Sequence, residues 1–177
     1  MEKEVSAMKM TIAIYPPKEI QDAANSLRKR YDPQYAYIAP HLKIKEPFDI
    51  KEDQLSVIVD ELQKVADDFK PFSIDIHKVS TFHPTNNVIY LAVKEQSKLM
   101  ELHNQLNKPK TLKHESKYSF VPHLTIAQNM SDDELHDVYG RLKMRKFHFS
   151  FVVERFHLLY QLENGSWTTY ETFSFKA

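Results

Sequence analysis

The chain has 177 residues, with 24 Lys and Arg against 24 Asp and Glu, nine His, two Gly and no Cys. This length suits one large domain or two small lobes that share a core. The lack of Cys excludes disulfide scaffolds, thiolate metal sites and a Cys nucleophile. Two Gly are too few for a Gly-rich phosphate loop. Because the formal net charge is zero, any site for a polyanion must be local.

The N-terminal segment is charged and lacks the apolar run of a signal peptide. We therefore predict that residues 1–9 form a flexible leader and that 10–177 form a single domain. No stretch approaches 18 consecutive apolar residues, so no transmembrane helix is predicted. A cytoplasmic protein is expected.

The first half of the chain alternates between strand and helix patterns. Strands are indicated by β-branched, aromatic or alternating residues, and helices by apolar residues at helical spacing. The predicted elements are a strand at 10–15, a helix from Pro16-Pro17 to about Arg30, a strand at 40–45, a helix at 55–69 and a strand at 72–77.

The second half repeats this order after a turn near 84–87. Its predicted elements are a strand at 88–93, a helix around 99–106, a strand at 120–126, a helix that begins at Ser131 and a long strand at 147–162. A slip in the apolar register of the long strand predicts a bulge at Glu154-Arg155. A final strand at 167–175 completes a hairpin.

The repeat predicts an α+β fold made of two duplicated β/α lobes. We expect two antiparallel sheets that flank a central cleft, with the helices outside and a seam between the lobes near 83–87. His41 and His123 occupy equivalent places in the two halves, each within a Pro-His-Leu-x-Ile segment.

Alternation within these segments sends Leu and Ile to one face of the strand and the intervening residues to the other. His41 with Lys43, and His123 with Thr125, therefore form two polar pairs away from the core. If the lobes are related by a pseudo-two-fold axis, the two imidazoles face each other across the cleft.

Two imidazoles suit phosphodiester chemistry, because one can accept a proton from water while the other donates one to the leaving oxygen. Thr125 and Lys43 can donate to the phosphoryl oxygens. No His, Asp or Glu spacing typical of a zinc site occurs, so no metal and no cofactor are predicted.

The segments APHLKI at 39–44 and FVPHLTIA at 120–127 resemble the paired His-x-Thr/Ser-x motifs of the two-histidine (2H) phosphoesterase superfamily, which includes 2′-5′ RNA ligase-like proteins. The whole-chain pattern is most similar to a small group of uncharacterised phosphoesterases from Gram-positive bacteria. The resemblance implies metal-free hydrolysis of a 2′,3′-cyclic phosphate or related small phosphodiester. It also implies that His41 is the proton donor, His123 the proton acceptor and Thr125 a phosphate ligand.

Lys43 departs from the family pattern, since it stands where Thr or Ser is expected. It could bind phosphate as a point charge, but it would also lower the pKa of His41. Two alternatives therefore stay open: a non-catalytic module that binds a nucleotide or an RNA end, and a 2′-5′ RNA ligase that runs the reverse reaction. The expected partner is a small phosphodiester or RNA end, with no membrane and no protein partner.

Two basic segments could flank the cleft and attract phosphate. They are Arg28-Lys29-Arg30-Tyr31 and the loop 108–117. The favoured interpretation of the first segment is a solvated helix end that complements the helix dipole. The second segment is interpreted as an ordinary polar loop.

Overall fold

The computed structural model describes residues 7–113 and 119–176, and within them strands alternate with helices in the predicted order. The strands are β1 (Ala7–Ile14), β2 (Leu42–Lys51), β3 (Phe72–Thr81), β4 (Ile89–Val93), β5 (His123–Ala127), β6 (Phe149–Val153), β7 (Arg155–Gln161) and β8 (Trp167–Ser174). The helices are α1 (Lys18–Tyr31), α2 (Leu55–Asp67), α3 (Ser97–Leu106) and α4 (Asp132–Leu142), with 3₁₀ turns at Pro33–Ala36 and Glu52–Gln54. The α+β class is confirmed.

The strands form one antiparallel sheet in the order β6-β3-β4-β5-β2-β1-β7-β8. The expectation of two separate sheets is wrong, because all eight strands belong to one sheet. The two histidine-bearing strands, β2 and β5, lie side by side and pair at Leu42 and Leu124. Because β2 and β5 pair, the two four-stranded halves of the sheet join into one continuous sheet at its centre.

The first half of the chain contributes β3 to the other half of the sheet, and the second half contributes β7 and β8. Strand β3 pairs with β4, and β7 pairs with β1. The prediction of a bulge at Glu154-Arg155 is wrong, because the two parts of the predicted long strand pair with different neighbours. At Glu154 the chain leaves β6, which pairs with β3, and enters β7, which pairs with β1.

Strand β1 begins three residues earlier than predicted. Ala7, Met8 and Lys9 pair with residues 49–51 of β2. These three residues therefore belong to the sheet rather than to a flexible leader, because the long β2 offers them backbone partners. The rest of the predicted leader, residues 1–6, lies outside the described part of the chain.

The main core contains buried side chains from all four helices and from one face of the sheet. In α2, Ile58 and Leu62 are fully buried, as the helical spacing predicts. On β4, Ile89, Leu91 and Val93 enter this core, because alternate side chains of a strand share a face. No helix in the described ranges has the length and apolar character to cross a membrane.

The opposite face of β4 carries a second, smaller apolar cluster. Val88, Tyr90 and Ala92 are buried there, and Phe82 packs against them. This cluster lies on the face of the sheet that also carries the two histidines.

Candidate active site

The pairing of Leu42 with Leu124 brings the four predicted site residues together. Antiparallel register continued by one residue in each direction sets His41 opposite Thr125, and Lys43 opposite His123. Both Leu side chains are fully buried, so the four polar residues share the other face. The burial pattern is the same in both segments: the first, third and fifth residues of 40–44 and of 122–126 are buried, and the other two are partly exposed.

Both imidazoles are oriented by the backbone in the same way. The Nδ1 of His41 lies 2.8 Å from the carbonyl oxygen of Ala39, and the Nδ1 of His123 lies 2.7 Å from that of Val121. Because a carbonyl only accepts, each Nδ1 carries the proton in the neutral ring. The Nε2 atom of each ring is therefore available to exchange a proton with a ligand.

Burial lowers the pKa of both imidazoles. The pKa of His41 falls to about 4, mainly because of burial. The positive charges of Arg28, Lys43 and His123 also lower this pKa, whereas the hydrogen bond to the Ala39 carbonyl raises it. For His123 burial also dominates, while Lys43 lowers the pKa further and Glu46 raises it. Both rings are therefore neutral in the free protein near pH 7.

Lys43 is held beside the histidines by an ion pair. Its Nζ donates to Glu46 Oε2 at 2.9 Å, and both side chains remain partly exposed. Thr125 is the direct partner of Tyr90 on β4 and is also partly exposed. The face that carries the two imidazoles thus also carries one ammonium and one hydroxyl, both of which are hydrogen-bond donors.

The aromatic rings of Phe82 and Tyr90 pack against His123, and the sequence did not predict this contact. The His123 ring meets Phe82 and Tyr90 edge-on, with centroids 4.9 Å and 5.2 Å away, and the two aromatic rings stack on each other at 4.3 Å. The continuous apolar run of β4 was the available signal, because a strand that is apolar on both faces is buried on both faces.

A buried ion pair supports the segment before His41. Arg28 and Asp32 are both only 2% exposed, with Nε and Oδ2 separated by 3.3 Å. Arg28 also donates to the carbonyl oxygen of Ile38 at 2.7 Å, directly before Ala39. Asp32 in turn accepts from the side chain of Gln128, just after β5. The interpretation of Arg28 as part of a solvated helix end is therefore wrong.

The second basic segment is anchored to the sheet at its start. The Nζ of the buried Lys45 donates to Asn107 Oδ1 at 2.6 Å and to the carbonyl oxygen of Leu112. Burial lowers the pKa of Lys45 to about 8. Residues 114–117 of the predicted 108–117 loop lie outside the described residues.

Clusters of metal-ligating side chains would be the sign of a metal centre. Within residues 7–113 and 119–176, no group of three His, Asp or Glu side chains is placed to hold a metal ion. The expectation of a metal-free reaction stays a prediction.

The fold and the site define a class of protein: a duplicated sheet whose two central strands present paired histidines on one face is the architecture expected of the two-histidine phosphoesterases. A sequence model of the 2′-5′ RNA ligase superfamily matches residues 16–165. The chain belongs to this superfamily, which confirms the family predicted from the two histidine motifs.

The similar proteins agree with this assignment. The chain is 50% identical over 166 residues to a protein of Bacillus licheniformis and 48% identical over 166 residues to one of Halalkalibacterium halodurans. Both are named putative phosphoesterase. The matches cover 94% of this chain and 98% and 96% of the two relatives.

Solved structures share the fold at low sequence identity. Escherichia coli LigT complexed with 3′-AMP has a TM-score of 0.75 at 16% identity, with 97% of this chain and 100% of that chain covered. The protein TT0787 of Thermus thermophilus has a TM-score of 0.68 at 18% identity, with 94% and 97% covered.

Proposed function

We propose that this protein hydrolyses a 2′,3′-cyclic phosphate or a related small cyclic phosphodiester by metal-free acid–base catalysis. The observation that carries the proposal is the cross-strand arrangement of His41 and His123, each with Nδ1 bound to a carbonyl and with no hydrogen-bond partner at Nε2 among the described residues. Two such groups on one face suit a reaction that needs one proton acceptor and one proton donor.

In the proposed reaction, water attacks the phosphorus while His123 Nε2 accepts its proton. The bond from phosphorus to one ribose oxygen breaks, and His41 donates its Nε2 proton to that oxygen. The product is an acyclic phosphate monoester, and a proton transfer through solvent restores the two rings. Thr125 and Lys43 donate to the phosphoryl oxygens, where negative charge accumulates in the transition state.

The low pKa of His41 has a consequence for this mechanism. With a pKa of about 4, the ring is almost entirely neutral at pH 7 in the free protein, whereas a proton donor must be protonated. We expect a bound phosphodiester anion to raise this pKa, because a nearby opposite charge favours the imidazolium. Substrate binding would then prepare the donor.

The test is hydrolysis of a nucleoside 2′,3′-cyclic phosphate in the presence of EDTA. We expect turnover by the wild-type protein and its loss in both His41→Ala and His123→Ala. His148→Ala is the matched control, since His148 is exposed outside the site and its loss should leave the rate unchanged. Full activity in either site variant, or inhibition by EDTA, would contradict the mechanism.

A second candidate function is binding of a nucleotide or RNA end without turnover. Lys43 and the pKa of about 4 for His41 favour it, since both oppose a protonated donor in the free protein. Tight, saturable binding of a nucleoside 2′- or 3′-monophosphate, without turnover of any cyclic phosphate, would support this candidate.

Ligation of RNA ends would use the same residues in the reverse direction. An assay with RNA that carries 2′,3′-cyclic phosphate and 5′-hydroxyl ends tests this third candidate.

A further inference from the structure

The two histidines are preceded by segments that correspond residue by residue, Ile38-Ala39-Pro40-His41 and Phe120-Val121-Pro122-His123. In both segments the second residue accepts a hydrogen bond from the histidine ring through its carbonyl oxygen. In the first segment the residue before that carbonyl is held from outside, because Arg28 donates to the carbonyl oxygen of Ile38. The corresponding residue of the second segment is Phe120, and it is held by a different contact.

Phe120 is held by the ring of His103 on α3. The two rings lie nearly parallel, with their centroids 4.0 Å apart and their planes inclined by 5°. Both side chains are partly buried. Because stacked aromatic rings attract each other, this contact restrains Phe120 and, through the backbone, the next residue, Val121.

The His103 ring is itself fixed by the backbone of β2. Its Nδ1 lies 2.7 Å from the carbonyl oxygen of Ile44, so in the neutral ring this nitrogen carries the proton and donates it. Ile44 lies two residues beyond Leu42, which pairs with β5. His103 therefore joins the strand that follows one histidine to the segment that precedes the other.

Lys45 and Asn107 keep His103 in this tautomer. The Nζ of Lys45 donates to Asn107 Oδ1 at 2.6 Å, and since an ammonium group cannot accept, the amide nitrogen must face the other way. That nitrogen lies 2.8 Å from the carbonyl oxygen of His103 and 3.5 Å from its Nε2. Because Nε2 faces a donor, it remains the unprotonated nitrogen of the ring.

We propose that His103 is a positioning residue for His123: through Phe120 it holds the Val121 carbonyl, which keeps the His123 proton on Nδ1 and leaves Nε2 to react. The inference rests on the proposed function, in which His123 Nε2 accepts the proton of water. It adds a residue that acts without contacting the substrate. A small displacement of a catalytic group slows the reaction, so the loss of His103 should lower kcat rather than raise KM.

The test compares variants at the stacked rings. His103→Leu removes both the ring and the donor, Phe120→Leu removes the partner ring, and His103→Phe restores a ring without the donor. Ile58→Val on α2 is the control for lost packing, since Ile58 is fully buried in the main core. Circular dichroism checks that each variant is folded.

With adenosine 2′,3′-cyclic phosphate as substrate, we expect His103→Leu and Phe120→Leu each to lower kcat about 10- to 100-fold, with KM unchanged. His103→Phe should recover part of this loss, and Ile58→Val should leave kcat unchanged. The double variant His103→Leu/Phe120→Leu should lose no more than either single variant, because both changes act on one carbonyl. Losses that multiply in the double variant, or an unchanged kcat in both single variants, would overturn the inference.

The tautomer of His123 gives a readout that does not depend on turnover. In nitrogen NMR of the neutral ring, the wild-type protein should carry the proton on Nδ1, and both Leu variants should move part of the population to Nε2. His41 should keep its tautomer in all of them. This result in a protein that turns over no cyclic phosphate would refute the proposed hydrolysis and still support the positioning role.

An unchanged His123 tautomer in the folded variants would overturn the inference whatever their activity. If His103→Leu does not fold, Phe120→Leu decides the question, since Phe120 is only partly buried and its replacement leaves the bond from His103 to Ile44 in place.

Discussion

Leu42 and Leu124 are direct antiparallel partners, and in the described residues their pairing is the link between the histidine strands β2 and β5. Both side chains are fully buried in the main core. The same pairing sets the flanking His41, Lys43, His123 and Thr125 on the opposite face. One backbone pairing thus organises the candidate active site, and the predictions below test its parts.

The hydroxyl of Thr125 is expected to donate to the substrate phosphate. Thr125→Val keeps the shape and the β-branching of the side chain but removes the donor. We expect the affinity for a phosphate ligand to fall about 10- to 100-fold, the range for hydrogen bonds to charged groups. Thr125→Ser keeps the hydroxyl and should retain most of the affinity. Equal affinity of the Val variant and the wild-type protein in calorimetric titration would count against this role.

Lys43 and Glu46 act on the histidines with opposite signs. Lys43 lowers the pKa of both rings, and Glu46 raises that of His123. Lys43→Thr, which introduces the residue expected from the family, should therefore raise both pKa values. Glu46→Gln should lower the pKa of His123. NMR titration of the imidazole resonances measures both changes, and a shift of the same sign in the two variants would refute the electrostatic account.

The lowered pKa of His41 should make stability depend on pH. Its pKa falls from 6.5 to about 4 on folding, so between these values the unfolded chain binds more protons than the folded one. The stabilisation is complete above pH 6.5 and is lost as the pH falls toward 4. Urea unfolding at several pH values measures the free energy of unfolding. Between pH 6.5 and about 4, this free energy should fall more steeply for the wild-type protein than for His41→Gln. Parallel curves would mean that His41 does not titrate as proposed.

Arg28 and Asp32 should contribute more to stability than an exposed pair in the same helix. Arg28→Met leaves Asp32 buried without its partner, and we expect the free energy of unfolding to fall by about 3–5 kcal/mol. The control is Lys18→Met. Lys18 and Asp22 have the same spacing but are 90% and 63% exposed, so the loss should be below about 1 kcal/mol.

The same variant has a second readout at the site. The charge of Arg28 lowers the pKa of His41, so Arg28→Met should raise it in NMR titration. A large loss of stability with an unchanged pKa would leave Arg28 a purely structural residue.

Local sequence determined much of this protein. The alternation around His41 and His123, with buried Pro, Leu and Ile between partly exposed polar residues, follows from the two-residue period of a strand. The repeated order of elements also follows from local patterns, because each segment carries its own periodicity. These features were enough to predict the α+β class and the four candidate site residues, and the two histidine motifs carried the resemblance to the family.

Tertiary structure alone decided how the halves join. No local pattern shows that β3 and β7 pair across the halves or that Leu42 meets Leu124, because strand pairing depends on residues distant in sequence. The burial of Arg28 and the stacking of His103 on Phe120 have the same origin. A basic helix end is normally solvated, and Lys29 and Arg30 are exposed as expected. Arg28 is enclosed because the 33–38 segment and Gln128 fold over it and its partner Asp32. The sequence thus determined which residues could do the chemistry, and the long-range pairing decided that they share one face.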